Sequence, residues 1–205
     1  TPREATPGEP WEERTLDLEL KLLADVGLVG LPNAGKSTLL SVITAAKPKI
    51  ADYPFTTRSP HLGIAELPGM RRLVVADLPG LIEGAADGAG MGHDFLRHIE
   101  RTSVLLHVLH AAPVEERDPL TQWRMVRAEL DAFSATLSEK PELILINQCD
   151  LIDDTTRVNQ MASLQAETDT PVMAASAVTG QGVADVLERL WAMAKPEVKR
   201  GWQES

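Results

Sequence analysis

The sequence predicts an α/β fold of three layers: a mostly parallel, six-stranded sheet with one antiparallel edge strand, and helices on both faces. Two observations predict it. Short apolar runs of strand length alternate with segments of about 10 to 20 residues that have helical periodicity. One pair of runs, 62–67 and 73–76, flanks the turn Pro68-Gly69 and should form a hairpin, which supplies the antiparallel strand.

The first half of the chain predicts a linker followed by strand, turn and helix. Residues 1–14 contain three prolines among small and charged residues, so we expect a linker, the stub of a preceding domain. Polar and apolar residues alternate over 15–22, which predicts an extended strand. The apolar run 26–29 ends at Gly30, and a helical pattern follows over 36–46.

The second half continues this alternation. Glycines recur between 84 and 92, a composition that helices and strands tolerate poorly. Asp118-Pro119 has the residue types of an N-cap and a first helical position, and it opens a helical stripe that runs to Leu137. The other predicted elements are helices near 95–99, 157–165 and 183–194, and strands at 104–108, 143–146 and 172–174. One domain over 15–195 and a C-terminal tail over 196–205 follow from this prediction.

Charge and cysteine content exclude several classes of protein. Twenty Lys and Arg against 30 Asp and Glu give a net charge of −10, which disfavours nonspecific binding to nucleic acid or anionic membranes. The single cysteine, Cys149, excludes an internal disulfide framework and favours a cytoplasmic location. The sequence has no secretion signal or membrane-spanning apolar run, and its start at Thr1 suggests an excised part of a longer protein.

The segment between the first apolar run and the first helix matches the phosphate-binding loop G-x-x-x-x-G-K-[ST]. Backbone N–H groups of such a loop face phosphates, Lys36 supplies a positive charge to the β and γ oxygens, and Ser37 is a ligand for Mg²⁺. The alternative is a glycine turn with a surface lysine. The predicted phosphate-binding residues are Gly30, Leu31, Pro32, Asn33, Ala34, Gly35, Lys36, Ser37 and Thr38.

Two further segments are candidates for contacts with magnesium and the γ-phosphate. Asp77, at the end of the hairpin, is followed by Leu78, Pro79 and Gly80. An acid at this place can hold Mg²⁺ through water and the glycine N–H can approach the γ-phosphate, although an acid at a strand end is also common in simple turns. The second segment contains Phe55, Thr56 and Thr57. A hydroxyl there can complete the magnesium shell, and we favour Thr57 over Thr56.

Two polar segments that follow predicted strands are candidates for base recognition. The first contains Asn147, Gln148 and Asp150, and the second contains Ser176, Ala177 and Val178. Ligands of open α/β sheets bind at the carboxyl ends of strands. One carboxylate can accept both the N1–H and N2 amine hydrogens of guanine, so Asp150 favours GTP over ATP. The Ala177 N–H could donate to guanine O6, and the Asn147 side chain could join the two segments.

Together these motifs resemble those of the translation-factor-related P-loop GTPases, and most closely those of the Obg family. The resemblance covers roughly residues 8–195, the GTPase domain only. It implies the P-loop NTPase fold, with Lys36, Thr57 and Gly80 at the reacting phosphate and Ser37, Thr57 and Asp77 around Mg²⁺. The most specific run extends from Asp77-Leu78-Pro79-Gly80-Leu81-Ile82-Glu83-Gly84-Ala85 to Gly90-Met91-Gly92-His93-Asp94-Phe95-Leu96-Arg97-His98-Ile99-Glu100-Arg101.

The resemblance implies a slow GTPase that acts as a switch in assembly of the large ribosomal subunit and in stress or growth control. Gln148 departs from the family pattern, which generally has lysine there, so nucleotide affinity should fall while Asp150 keeps the selectivity. Leu81 stands where many switch GTPases have a water-orienting glutamine, which predicts slow hydrolysis. Asn33 resembles a residue that coordinates K⁺ in related GTPases; a turn-stiffening role is the alternative.

Two other functions stay open from the sequence. The chain could be a guanine-nucleotide sensor with negligible turnover, because Leu81 cannot orient water. It could also be an ATPase that shares the phosphate loop, in which case Asp150 would have no role in base selection.

Overall fold

The structure, a computed structural model, describes residues 13, 24–44, 49–50, 61–77, 101–112, 117–133 and 135–195. The predicted linker 1–14, strand 15–22, glycine-rich stretch 84–92, helix near 95–99 and tail 196–205 lie outside these residues, apart from position 13. The elements are β1 (Ala24–Val29), α1 (Lys36–Ile43), β2 (Lys49–Ile50), β3 (His61–Leu67), β4 (Arg71–Asp77), β5 (Thr102–His110), α2 (Pro119–Phe133), α3 (Ala135–Ser138), β6 (Glu142–Asn147), α4 (Asp154–Glu167), β7 (Val172–Ala174) and α5 (Val183–Ala194).

The strands form a sheet in the order β2-β3-β4-β1-β5-β6-β7. Strands β4, β1, β5, β6 and β7 pair in parallel, whereas β3 pairs antiparallel with β4 and β2. The predicted fold class, a mostly parallel sheet with one antiparallel strand, is confirmed. Six of the strands correspond to predicted runs; β2 is a seventh, so the antiparallel strand β3 is not at the edge as predicted. The two-residue strand β2 extends the sheet at its antiparallel side, in a stretch where the sequence predicted no regular element.

Helices pack on both faces of the sheet because its central strands are apolar on both sides. All six residues of β1 are buried, and so are all six of β6. One face holds α1 and α5, whose Leu40 and Leu190 join a cluster with Val26 and Val108. The other face packs against α2 and α4, with separate clusters around Leu130 and Leu164. This arrangement is the predicted three-layer architecture.

Helix α1 ends at Ile43, earlier than the predicted boundary at residue 46. Thr44 is extended, its hydroxyl donates to the carbonyl oxygen of Leu40 at 2.8 Å, and its backbone forms a bridge with Ala65 of β3. Pairing with the sheet therefore overrides the helical pattern. By contrast, α5 covers the predicted range 183–194.

In the described part of the chain, no helix combines the length and the apolar character needed to cross a bilayer.

Candidate functional site

The phosphate loop turns sharply at the carboxyl end of β1, and two glycines make the turn possible. Gly30 has φ +147°, and a Cβ there would lie 2.2 Å from the carbonyl oxygen of Val108 in β5. Gly35 has φ +90°, and a Cβ there would lie 2.4 Å from the side-chain nitrogen of Asn147. Both motif glycines thus sit where neighbouring atoms leave no space for a side chain.

Lys36 begins α1 and lies across the loop that precedes it. Its Nζ donates to the carbonyl oxygens of Gly30 at 2.9 Å and Leu31 at 3.0 Å. The ammonium group therefore sits above the loop at the N-terminus of α1, where the helix dipole also favours an anion. That this ammonium faces the phosphates of a nucleotide stays a prediction.

Ser37 and Asp77 meet at the adjoining carboxyl end of β4. The Ser37 hydroxyl donates to Asp77 Oδ2 at 2.5 Å. Asp77 is only 2% exposed, and its other oxygen, Oδ1, is buried with no hydrogen-bond partner among the residues that the structure describes. A buried carboxylate oxygen of this kind fits a site for a hydrated divalent cation, since its negative charge needs a donor or a metal.

Asn147, at the end of β6, joins the phosphate loop to the loop after β7. Its Nδ2 donates to the carbonyl oxygen of Ala34 at 3.0 Å, and its Oδ1 accepts the Ala177 N–H at 3.1 Å. The side chain is 1% exposed, so both contacts are shielded from water. The expected link between the two polar segments is present. The contact with Ala34, which the sequence did not predict, brings the phosphate loop into the same unit.

Beyond Asn147 the chain turns so that its side chains alternate between the interior and the surface. Gln148 adopts a left-handed conformation, with φ 62° and ψ 36°, and its side-chain Nε2 lies 3.3 Å from the position a Cβ would take at Gly35. Cys149 is buried, and burial raises the pKa of its thiol. Asp150 is exposed. The carboxylate is thus available at the rim of the site while Gln148 lies against the phosphate loop.

Two features fix the loop after β7: the close approach of Gly182 to the strand and a hydrogen bond within the loop. Gly182 has φ +72°, and a Cβ there would lie 2.7 Å from the carbonyl oxygen of Ala174. The hydroxyl of Ser176 accepts the Thr179 N–H at 3.1 Å, and Ser176 is fully buried. Val178 is 73% exposed beside it. Gly182 was not among the predicted site residues, and its position before the last helix was the available signal.

The described residues therefore bring together the phosphate loop, Asp77, Asn147, Gln148, Asp150 and the segment 176–178. Phe55, Thr56, Thr57, Leu78, Pro79 and Gly80 lie outside the described residues. Chemically, the site offers loop N–H groups and an ammonium for phosphates, a hydroxyl and a carboxylate for a divalent cation, and an exposed carboxylate for a base.

Comparisons with known proteins agree with this geometry. Residues 25–148 match the family model described as 50S ribosome-binding GTPase. The chain is 51% identical over 190 residues to GTPase Obg of Aquifex aeolicus, covering 93% of this chain and 55% of that protein. It is 52% identical over 195 residues to GTPase Obg of Herpetosiphon aurantiacus, covering 92% and 44%. The chain thus spans about half the length of these curated relatives.

Solved structures share the fold at lower identity. A variant of Era from Aquifex aeolicus bound to GDP and AlF4− superposes with a TM-score of 0.64 at 24% identity, covering 83% of this chain and 56% of that one. The G domain of the FeoB iron transporter from T. maritima gives 0.59 at 22% identity, covering 82% and 97%. From the matched family model and the close sequence relatives, this chain belongs to the 50S ribosome-binding GTPase family, within its Obg group.

Proposed function

We propose that this chain binds GTP and GDP, hydrolyses GTP slowly to GDP and phosphate, and acts as a molecular switch. The observation that carries the proposal is the buried side chain of Asn147, which contacts both the phosphate loop at Ala34 and the loop after β7 at Ala177. Phosphate binding and base binding are therefore built as one site, as recognition of a whole nucleotide requires.

Base selection rests on Asp150, whose exposed carboxylate can accept two hydrogen bonds from the N1–H and N2 amine of guanine. Adenine has no such pair of adjacent donors. The Ala177 N–H donates to Asn147 Oδ1 in the described state, so its donation to guanine O6 requires that this N–H be shared or redirected. Gln148 and Val178 then flank the base. A neutral Gln148 supports moderate rather than very tight affinity.

Magnesium fits the pair Ser37 and Asp77, with Thr57 as the further ligand when GTP is bound. The unpartnered Oδ1 of Asp77 supports this assignment, because a metal-bound water could donate to it. When bound, the ion neutralises charge on the β and γ phosphates. We assign Thr57 and Gly80 the contacts with the γ-phosphate, so that loss of that group on hydrolysis changes the state of the switch.

Hydrolysis is expected to be slow because Leu81 offers no group to orient water. Lys36 would stabilise charge on the transferred phosphoryl group from its place above the loop. Asn33, exposed and left-handed at φ 64°, is the candidate for holding a K⁺ ion at the same phosphates. A K⁺ ion there would supply positive charge to the phosphates.

We extend the proposal to the whole protein through its relatives. The family description names 50S ribosome binding, so the full-length protein would act on the large ribosomal subunit in the cytoplasm, in subunit assembly and in stress or growth control. In this proposal residues 1–14 are a linker from a preceding domain, 15–195 the GTPase domain and 196–205 a tail.

Equilibrium titration with a fluorescent GDP analogue in Mg²⁺, followed by competition with GTP, GDP and ATP, tests nucleotide binding. Displacement by guanine nucleotides alone supports the proposal, whereas equal displacement by ATP would make the chain a P-loop ATPase. Single-turnover GTP hydrolysis in K⁺ and in Na⁺ tests catalysis. Near-zero turnover in both salts would leave a guanine-nucleotide sensor rather than an enzyme.

A further inference from the structure

Gln122 is a buried polar side chain on a helix that otherwise contributes apolar residues to the interior. It is 1% exposed, one turn before Val126, which is fully buried. Its Oε1 accepts the His110 N–H at 2.9 Å, and its Nε2 donates to the carbonyl oxygens of His110 at 3.1 Å and Arg117 at 3.0 Å. These three hydrogen bonds all go to backbone groups, two of them to His110 at the carboxyl end of β5 and one to Arg117.

The end of β5 needs such a partner because β1 is shorter at this edge. The parallel pairing of β1 with β5 ends at Val29 and His107, since β1 turns into the phosphate loop at Gly30. Three residues farther along β5, no β1 residue is available to pair with His110. The Gln122 amide binds both the N–H and the carbonyl of that residue, as a neighbouring strand would.

The supported segment in turn holds residues 147–150, which begin at the last residue of β6 and are called the base loop below. Ala111 donates its N–H to the carbonyl oxygen of Asn147 at 2.9 Å, and its own carbonyl accepts from Nε2 of Gln160 in α4 at 2.8 Å. The Asn147 side chain in turn donates to the carbonyl oxygen of Ala34 and accepts the Ala177 N–H. A short series of hydrogen bonds therefore connects the Gln122 side chain with Asn147, which joins the phosphate loop to the loop after β7.

We propose that Gln122 is a positioning residue for nucleotide recognition: it takes the place of a strand partner on the β1 side of His110, whose other side pairs with Asn147 of β6, and so fixes the backbone that carries Asn147 and Asp150. The proposal rests on the proposed function for its consequence in nucleotide affinity. Its structural core, the dependence of the base loop on the Gln122 amide, can be tested without any nucleotide.

The first test compares Gln122→Met with Val126→Ala, which also alters the buried face of α2 but leaves the hydrogen bonds of Gln122 to His110 in place. Loss of the amide should raise the KM for GTP about tenfold, since backbone groups that hold the base loop lose their partners. The kcat should stay within about twofold, because Lys36 and the Ser37–Asp77 pair are untouched. Gln160→Met, which removes a single contact with Ala111, should give a smaller rise.

The second test is amide hydrogen exchange of the nucleotide-free protein. In Gln122→Met the amides of His110 and of residues 147–150 should exchange faster, while in Val126→Ala they should follow the global stability measured by urea unfolding. Equal KM values, or equal exchange of residues 147–150 at matched stability, would overturn the proposal. Failure of the unaltered chain to bind guanine nucleotide would instead overturn the proposed function, and the exchange experiment would still decide the role of Gln122.

Discussion

Two buried carboxylates lie at opposite ends of the parallel strands and differ in how many hydrogen-bond partners they have. The two ends are called the carboxyl edge and the opposite edge below. Asp77, at the carboxyl edge, receives a hydrogen bond from Ser37 on one oxygen, and its second buried oxygen has no partner within the described part of the chain. Glu142, which opens β6 at the opposite edge, is bound by His107 Nδ1 at 2.8 Å, Trp123 Nε1 at 3.3 Å and Arg127 at 3.1 Å.

The difference separates a structural charge from one available to a ligand. Burial alone would raise the pKa of Glu142, but the hydrogen bond from His107, with the charges of His107 and Arg127, lowers it below the ordinary value. Its charge is thus neutralised within the protein. Asp77 is left incomplete by the described residues, which is what a site for a hydrated cation requires.

The largest expected effect is on stability at the Glu142 edge. Glu142→Ala should lower the free energy of unfolding by about 3–5 kcal/mol, because it removes the partner of the buried His107 ring and of partly buried donors on Trp123 and Arg127. Urea denaturation measures this loss, with the exposed Glu139→Ala as control. Affinity of the folded fraction for GDP should not change, and a parallel loss of affinity would contradict the separation of the two edges.

The same carboxylate predicts a pH dependence. Since the folded pKa of Glu142 is lowered, its ionised form stabilises the fold above the ordinary Glu value of about 4.3, and this stabilisation is lost as the pH falls through the lower folded value. Urea midpoints between pH 7 and pH 3 should therefore fall less steeply in Glu142→Gln than in the unaltered chain.

The next effect concerns nucleotide binding at the carboxyl edge. Lys36→Met should weaken GDP binding roughly a hundredfold to a thousandfold, because it removes the charge facing the phosphates. Its matched control is Lys140→Met: Lys140 also donates to a backbone carbonyl, that of Thr102, but at the opposite edge. Calorimetric titration of both variants measures the contrast, and similar affinities would count against the assigned site.

Base selection should give a smaller effect. Asp150→Asn should weaken GDP binding about tenfold to a hundredfold, because an amide cannot accept both guanine hydrogens as a carboxylate does. The amide can instead donate to the C2 carbonyl of xanthine, so binding of xanthosine diphosphate should improve. Asp154→Asn, which alters an exposed pair with Arg157, should change neither affinity.

The smallest effect, and the most direct contrast, comes from Asp77→Asn. A neutral amide reduces the desolvation penalty of a buried group that lacks a second partner, so the nucleotide-free chain should gain about 1 kcal/mol in stability. Glu142→Gln should move stability in the opposite direction. Thermal unfolding of both variants without nucleotide makes the comparison, and Asp77→Asn should also lose the tightening of GTP binding by Mg²⁺.

Sequence patterns predicted the elements and loops that depend on local signals. The helical periodicity was sufficient to predict α5, and the sequence motif was sufficient to predict the phosphate loop, because both depend on residues that are close together in the chain. The two-residue β2 was missed because only its pairing with β3 defines it. The contact of Arg71 with Glu188, at 2.6 Å across 117 residues, was also missed, because no local pattern indicates a pair so far apart in the chain.

The site was predicted by type of residue but not by contact. Asp77 and Ser37 were each expected near Mg²⁺, yet no pattern indicates that they bond directly or that Asp77 Oδ1 is left without a partner. Gln122 binds backbone groups, and Ala34 takes part through its own backbone carbonyl. Such contacts do not depend on the type of residue that supplies the backbone group, so the sequence cannot indicate them.

The approach of Gly30 to β5 also determines which positions tolerate mutation. The atom that a Cβ would meet is the backbone oxygen of Val108, which every residue type at that position would present in the same place. No substitution in β5 can therefore make room for a larger residue at Gly30, whereas Val108 can exchange for another buried aliphatic residue without displacing the loop. In a library that randomises both positions, selection for nucleotide binding should return glycine alone at 30 and several aliphatic residues at 108.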